Sequence, residues 1–229
     1  MKTATRLLFT TSLCVASLPA ALIGTLNFGG DVNVSVNGVG TTFVNFLPLA
    51  DPNGDITAGT SNSGSFAPIN GATALDRLGK IIDFSNLTVL PIANWLQFAL
   101  LPAPFSTMNV RLDGLTASAA SVGCGAVALN ASCTPFAGSI FTFVNDPAGA
   151  VVSFRGFGRV IDGADSNEFT VLFSTQFVAQ TPTQVLTLAS SVTGAQTSYS
   201  ASLSTVPEPS TWALALLGVS GVFLARRRR

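Results

Sequence analysis

A strict alternation near the start of the chain constrains the fold more than any other feature. Val32, Val34 and Val36 alternate with Asn33 and Ser35, and Asn37-Gly38 follows at once. A period of two places the valines on one face of a strand, and Asn-Gly suits a two-residue hairpin leading into Thr41 to Leu47. Further strands are expected over Ile81–Phe84, Met108–Leu112, Ser139–Val144, Val151–Ile161, Glu168–Val178 and Thr197–Leu203. Turn chemistry at Asp113-Gly114, Asn145-Asp146-Pro147 and Asp162-Gly163 separates them. One helix interrupts the series: Thr181-Pro182-Thr183-Gln184 reads as a capping box with proline at the first helical position, followed by Val185, Leu186 and Leu188. Leu87–Leu101, with Trp95, Leu96 and Phe98, reads as a buried strand or a short helix. Short strands rich in Phe, Val and Thr point to an all-β antiparallel β-sandwich with one short helix, a single domain over residues 24–204.

Composition narrows the partners. The chain is 48% hydrophobic and 10% charged, against roughly 25% charged in an ordinary globular protein. Such a chain is membrane-associated, or is β-rich with Ser, Thr and Asn as its polar surface. Six of the eleven basic residues lie at the ends, at Lys2, Arg6 and Arg226 to Arg229. Between Gly24 and Ser204 stand five basic and ten acidic residues, a net charge of −5. That balance excludes nucleic acid as a partner.

The N-terminus carries an export address over residues 1–23. Lys2 and Arg6 precede an apolar run from Leu7 to Leu18, and Pro19-Ala20-Ala21 supplies small residues for signal peptidase. Cleavage is expected between Ala20 and Gly24. Cys14 lies inside the apolar run behind Leu13, where a lipid-attachment box needs a small residue, so it departs with the signal. Cys124 and Cys133 then remain, an even pair in an oxidising compartment, and are expected to form a disulfide.

Residues 205–229 form a second address in three parts. Thr205-Val206-Pro207-Glu208-Pro209-Ser210-Thr211 is kept extended by its prolines. An apolar helix is expected from Trp212 to Ala225, with Leu214, Leu216, Leu217, Val222, Phe223 and Leu224 facing lipid and Trp212 at the interface. From Thr211 to Ala225 such a helix measures about 22 Å, short of the roughly 30 Å hydrocarbon core, so it spans only as a marginal anchor. Arg226, Arg227, Arg228 and Arg229 hold the far end in the cytoplasm by the positive-inside rule.

Pro207-Glu208-Pro209, a short hydrophobic helix and an arginine cluster in that order resemble the PEP-CTERM sorting tail of Gram-negative bacteria. The resemblance covers about a tenth of the chain. It implies recognition of Pro207, Glu208 and Pro209 by exosortase, an integral-membrane cysteine protease or transpeptidase. It also implies a membrane-anchored intermediate on the way to the cell surface or exterior, and cargo that often travels with exopolysaccharide or biofilm-matrix genes.

Chemistry in the middle of the chain is sparse. With no His and the cysteines paired, Ser-His-Asp and Cys-His catalysis is closed. Glu168 is the sole Glu of the domain, whereas glycoside hydrolysis uses two facing carboxylates. Asp51, Asn53 and Asp55 place oxygens as a calcium loop would, yet Gly54 comes one position early and Asn62 stands where a Glu is needed. Asp162 to Glu168 reads as a plain hairpin connection. Trp95 and Tyr199 are the domain's only Trp and Tyr, few for sugar stacking, and Trp95, in the most apolar segment, is expected in the core. The expectation is therefore a non-enzymatic surface or matrix protein without a cofactor. The alternative is a module binding polysaccharide, calcium or ice, although no regular Thr-x-Thr array is present; an exported hydrolase is the weakest reading.

Overall fold

The computed structural model describes residues 22–36, 40–47, 53–70, 78–85, 87–98, 108–163 and 165–205. The chain begins with β1 (Thr25–Val36), β2 (Thr42–Phe46) and β3 (Asn53–Ala58), then a 3-10 helix over Gly64–Asn70. Next come β4 (Leu78–Ile82), β5 (Phe84–Ser85), β6 (Ile92–Phe98), β7 (Asn109–Thr116), β8 (Ser121–Val122), β9 (Ser132–Thr134) and β10 (Thr142–Asp146). The long hairpin β11 (Gly149–Asp162) and β12 (Asp165–Val178), helix α1 (Pro182–Ala189) and β13 (Ala195–Thr205) complete the described chain.

All the expected strands are present, and so is the helix. Thr181 caps α1 with both halves of the capping box formed. β1 pairs with β2 from Val32↔Phe46 to Val36↔Thr42; the Asn37-Gly38 turn itself lies outside the described residues. The ambiguous stretch resolves as strand β6, with Trp95 fully buried.

The sheet is closed, which corrects the expected two-sheet sandwich. Its strands run β12-β13-β1-β3-β4-β6-β7-β11, and β11 pairs back onto β12. The reason lies in the long hairpin. β11 and β12 pair along their full length, from Gly149↔Val178 to Asp162↔Asp165, while their outer edges pair with β7 and β13. Both edges of the sheet thus meet in one hairpin, and an eight-stranded barrel without open edges follows. Alternation alone reads the same for either architecture, because each buries one face of every strand.

A second correction concerns Asp113-Gly114, which lies inside β7 rather than in a turn. Leu112 pairs with Gly158 and Gly114 with Phe157, leaving Asp113 as the extra residue of a bulge. A Cβ on Gly114 would lie 2.1 Å from the Phe157 ring, so glycine here admits an aromatic side chain from the neighbouring strand.

Aromatic rings fill the barrel. Phe173 stacks on Phe154 at 4.4 Å between ring centroids and also meets Phe28, Phe46, Trp95 and Tyr199. The void left among these side chains is about 20 Å³, room for about one water. Around that void the described side chains form a packed core.

Candidate functional site: the rim where the chain enters and leaves the barrel

The two ends of the described chain are knitted together at one rim. β1 and β13 pair antiparallel from Thr25↔Ser204 to Val34↔Ala195. Beyond that ladder the Gly24 N–H donates to Thr205 Oγ1 at 2.8 Å, and the Thr205 N–H donates to the Gly24 carbonyl at 3.0 Å. The Leu22 N–H donates to Asn167 Oδ1 at 2.9 Å, and both residues are buried. Gly24 has φ 153°, and a Cβ there would lie 2.1 Å from the Ser63 carbonyl oxygen. Glycine is thus required where the incoming chain crosses the segment leading into the 3-10 helix.

This clamp places the start of the tail. Thr205 is the last residue of β13 and is buried, and only Val206 separates it from Pro207 in the sequence. The sorting residues Pro207, Glu208 and Pro209, the apolar run from Trp212 and Arg226 to Arg229 lie outside the described residues, as do residues 1–21 of the N-terminal signal, while Leu22 and Ile23 at its end are described. Among the described residues no helix is long and apolar enough to cross a membrane.

The disulfide forms as expected. Cys124 and Cys133 are bonded with Cα atoms 5.4 Å apart, and both are buried. Cys133 pairs with Phe143 of β10. The Thr183 hydroxyl on α1 donates to the Cys124 carbonyl at 2.6 Å. The bridge therefore ties the excursion between β7 and β10 to the helix.

One carboxylate from each acidic loop is ion-paired. Asp55 lies on β3 opposite Lys80 and pairs with it at 2.7 Å. Asp51 and the side chain of Asn53 lie outside the described residues. Gly54 is explained by packing, since a Cβ there would lie 1.9 Å from Phe46 Cβ. The stretch from Asp162 to Glu168 includes the β11–β12 turn, and Glu168 pairs with Arg159 at 3.7 Å. Among the described residues no group of three or more His, Cys, Asp or Glu is placed to hold a metal ion.

Trp95 is a core residue, as expected, and Tyr199 is buried as well. Trp95 is fully buried and stacks on Phe169 with ring centroids 6.4 Å apart. Burial pushes the Tyr199 phenol well above its ordinary range, and Asp31 adds to the shift. The Tyr199 hydroxyl has no hydrogen-bond partner among the described residues.

Comparison with known proteins singles out the same end of the chain. Residues 205–229 match the family of the PEP-CTERM protein-sorting motif. No curated protein and no solved structure matches the chain.

Proposed function

We infer, for a chain that carries a PEP-CTERM protein-sorting motif at residues 205–229, that its barrel is non-enzymatic surface or matrix cargo delivered by exosortase. The motif marks the chain as exported, sorted at the membrane towards the cell surface and processed by exosortase. Junction geometry supports the remainder of the reading. The motif begins at Thr205, the residue that closes the barrel rim against Gly24, so cleavage near Pro207-Glu208-Pro209 releases a folded unit with its last strand intact. Export requires a matching cut at the other end. Leu22 is buried and bonded to Asn167, which favours a signal-peptidase cut before Leu22 within the expected window of Ala20 to Gly24.

The observation that carries this reading is the match at residues 205–229. Its test is Glu208→Ala in an exosortase-bearing host, followed by fractionation and intact mass. Export is expected to continue while release stops, and the variant accumulates in the membrane fraction at its unprocessed mass. Normal release of Glu208→Ala would contradict the role of the motif. Replacing Arg226 to Arg229 with neutral residues is expected to loosen retention before cleavage.

A further inference from the structure

A cleft of about 430 Å³ opens on the outside of the barrel, lined by Thr116, Ser118, Ser132, Thr142, Ser153 and Arg155 among others. It arises from a fork in the sheet. One edge of β11 pairs with β10 up to Thr142↔Ser153 and with β7 from Arg155↔Thr116 onward. The two partners diverge at Phe154, and the chain between them leaves a gap that the barrel wall does not fill. Ser118 holds the gap's far wall in place, bonding Thr142 Oγ1 through its hydroxyl at 2.7 Å and the Ser139 carbonyl through its N–H at 2.8 Å.

Two features of the cleft, and an exposed apolar patch beside it on the same barrel face, point to one kind of ligand. Its volume lies within the range of small-ligand sites. The Ser132 and Ser153 hydroxyls and the Arg155 guanidinium have no hydrogen-bond or ion-pair partner among the described residues. Two positions along β11, on the same outer face, Phe157 is 48% exposed with its ring over Gly114. Leu172, the cross-strand neighbour of Arg155, is also exposed. An aromatic plane, unpaired hydroxyls and a lone guanidinium fork match the apolar ring face, the hydroxyls and the carboxylate of an acidic sugar.

We propose that the fork between β7, β10 and β11 binds a carboxylate-bearing saccharide, with Arg155 on the carboxylate and Phe157 under the sugar ring. The site lies on the barrel wall and does not depend on the sorting reading.

The test uses the purified full-length chain in detergent, with binding measured calorimetrically. The probes are tetragalacturonate, its methyl ester, poly-glutamate and dextran sulfate. Tetragalacturonate is expected to bind the wild type at least about tenfold more tightly than the ester. Arg155→Gln removes that preference without shifting thermal unfolding, because the Arg155 side chain has no hydrogen-bond or ion-pair partner among the described residues and its strand pairing is made by the backbone. Phe157→Ala weakens acid and ester alike. Three results overturn the proposal: no binding of tetragalacturonate, an Arg155→Gln variant that keeps the preference, or equal or tighter binding of poly-glutamate or dextran sulfate.

Discussion

The barrel and the tail carry information in opposite ways. In the tail, meaning lies in linear order: a proline-flanked glutamate, an apolar run and four arginines within residues 205–229. The barrel has no such motif, and its contacts join distant positions, as Thr25 does with Ser204. An enzyme reading an extended segment needs side chains in sequence, so the tail is recognisable in a chain that matches no curated protein and no solved structure. A closed sheet needs only alternation and a filled interior, which many unrelated sequences supply. The two regions should therefore fail independently. Mutations in the barrel change stability and leave processing of the folded fraction intact, while mutations in the tail do the reverse.

The largest stability loss is expected at the junction of β2 and β3. Gly54→Ala forces a methyl group to within 1.9 Å of Phe46 Cβ and 2.6 Å of the Phe46 backbone, at a cost of about 3 kcal/mol or more. Chemical denaturation of the full chain measures it. A neutral result would return Gly54 to the calcium-loop reading. Next in size is the disulfide. Cys124 and Cys133 are nine positions apart, and loop-closure entropy gives about 2.5 to 3 kcal/mol for a bridge of that span. The double Cys→Ser variant should lose that amount and still be processed normally at its C-terminus. If processing of folded protein fails instead, the independence of the two regions fails with it.

The smallest effect is the most diagnostic of the interior. Tyr199→Phe removes a buried hydroxyl without a partner among the described residues, so stability at neutral pH should hold or rise by about 1 kcal/mol. The sign reverses the usual expectation for a deletion. Because burial raises the folded-state pKa of Tyr199 above the ordinary tyrosine value of about 10, the wild type keeps its full stability below about pH 10 and loses stability as pH climbs past it. The phenylalanine variant should lose less over that alkaline range. Denaturation midpoints at pH 8 and at pH ~10.5 would show it, and equal alkaline losses in both proteins would place the Tyr199 hydroxyl outside the core.

Much of the fold could be read ahead of the structure, for reasons visible in particular residues. The alternation at Val32 to Val36 and the capping box at Thr181 are local signals, and the strand and the capped helix both formed, although Asn33 is buried along with Val32 and Val34. Closure was not legible, because it depends on which edges meet, and β11 pairs with three different strands. Asp113-Gly114 has turn chemistry, and only the neighbouring Phe157 ring shows why a glycine is needed inside a strand. Residue type drew attention to Trp95, which is buried, and away from Phe157, which is exposed. A usable signal existed: Arg155 and Arg159 share the parity of Phe157, opposite to Phe154 and Val160, and two arginines mark the outer face. The tail needed no such inference, since its residues are adjacent in sequence.

The central claim is that exosortase acts on residues 205–229, and intact mass measures it most directly. Wild-type protein is collected from the surface and medium of an exosortase-bearing host and from the same host lacking exosortase. The account predicts that the first sample has lost Trp212 to Arg229, with its N-terminus at or before Leu22, and that the second keeps the whole tail in the membrane fraction. Recovery of surface protein that still ends in Arg226 to Arg229 from the exosortase-bearing host would contradict it and make the tail a permanent anchor.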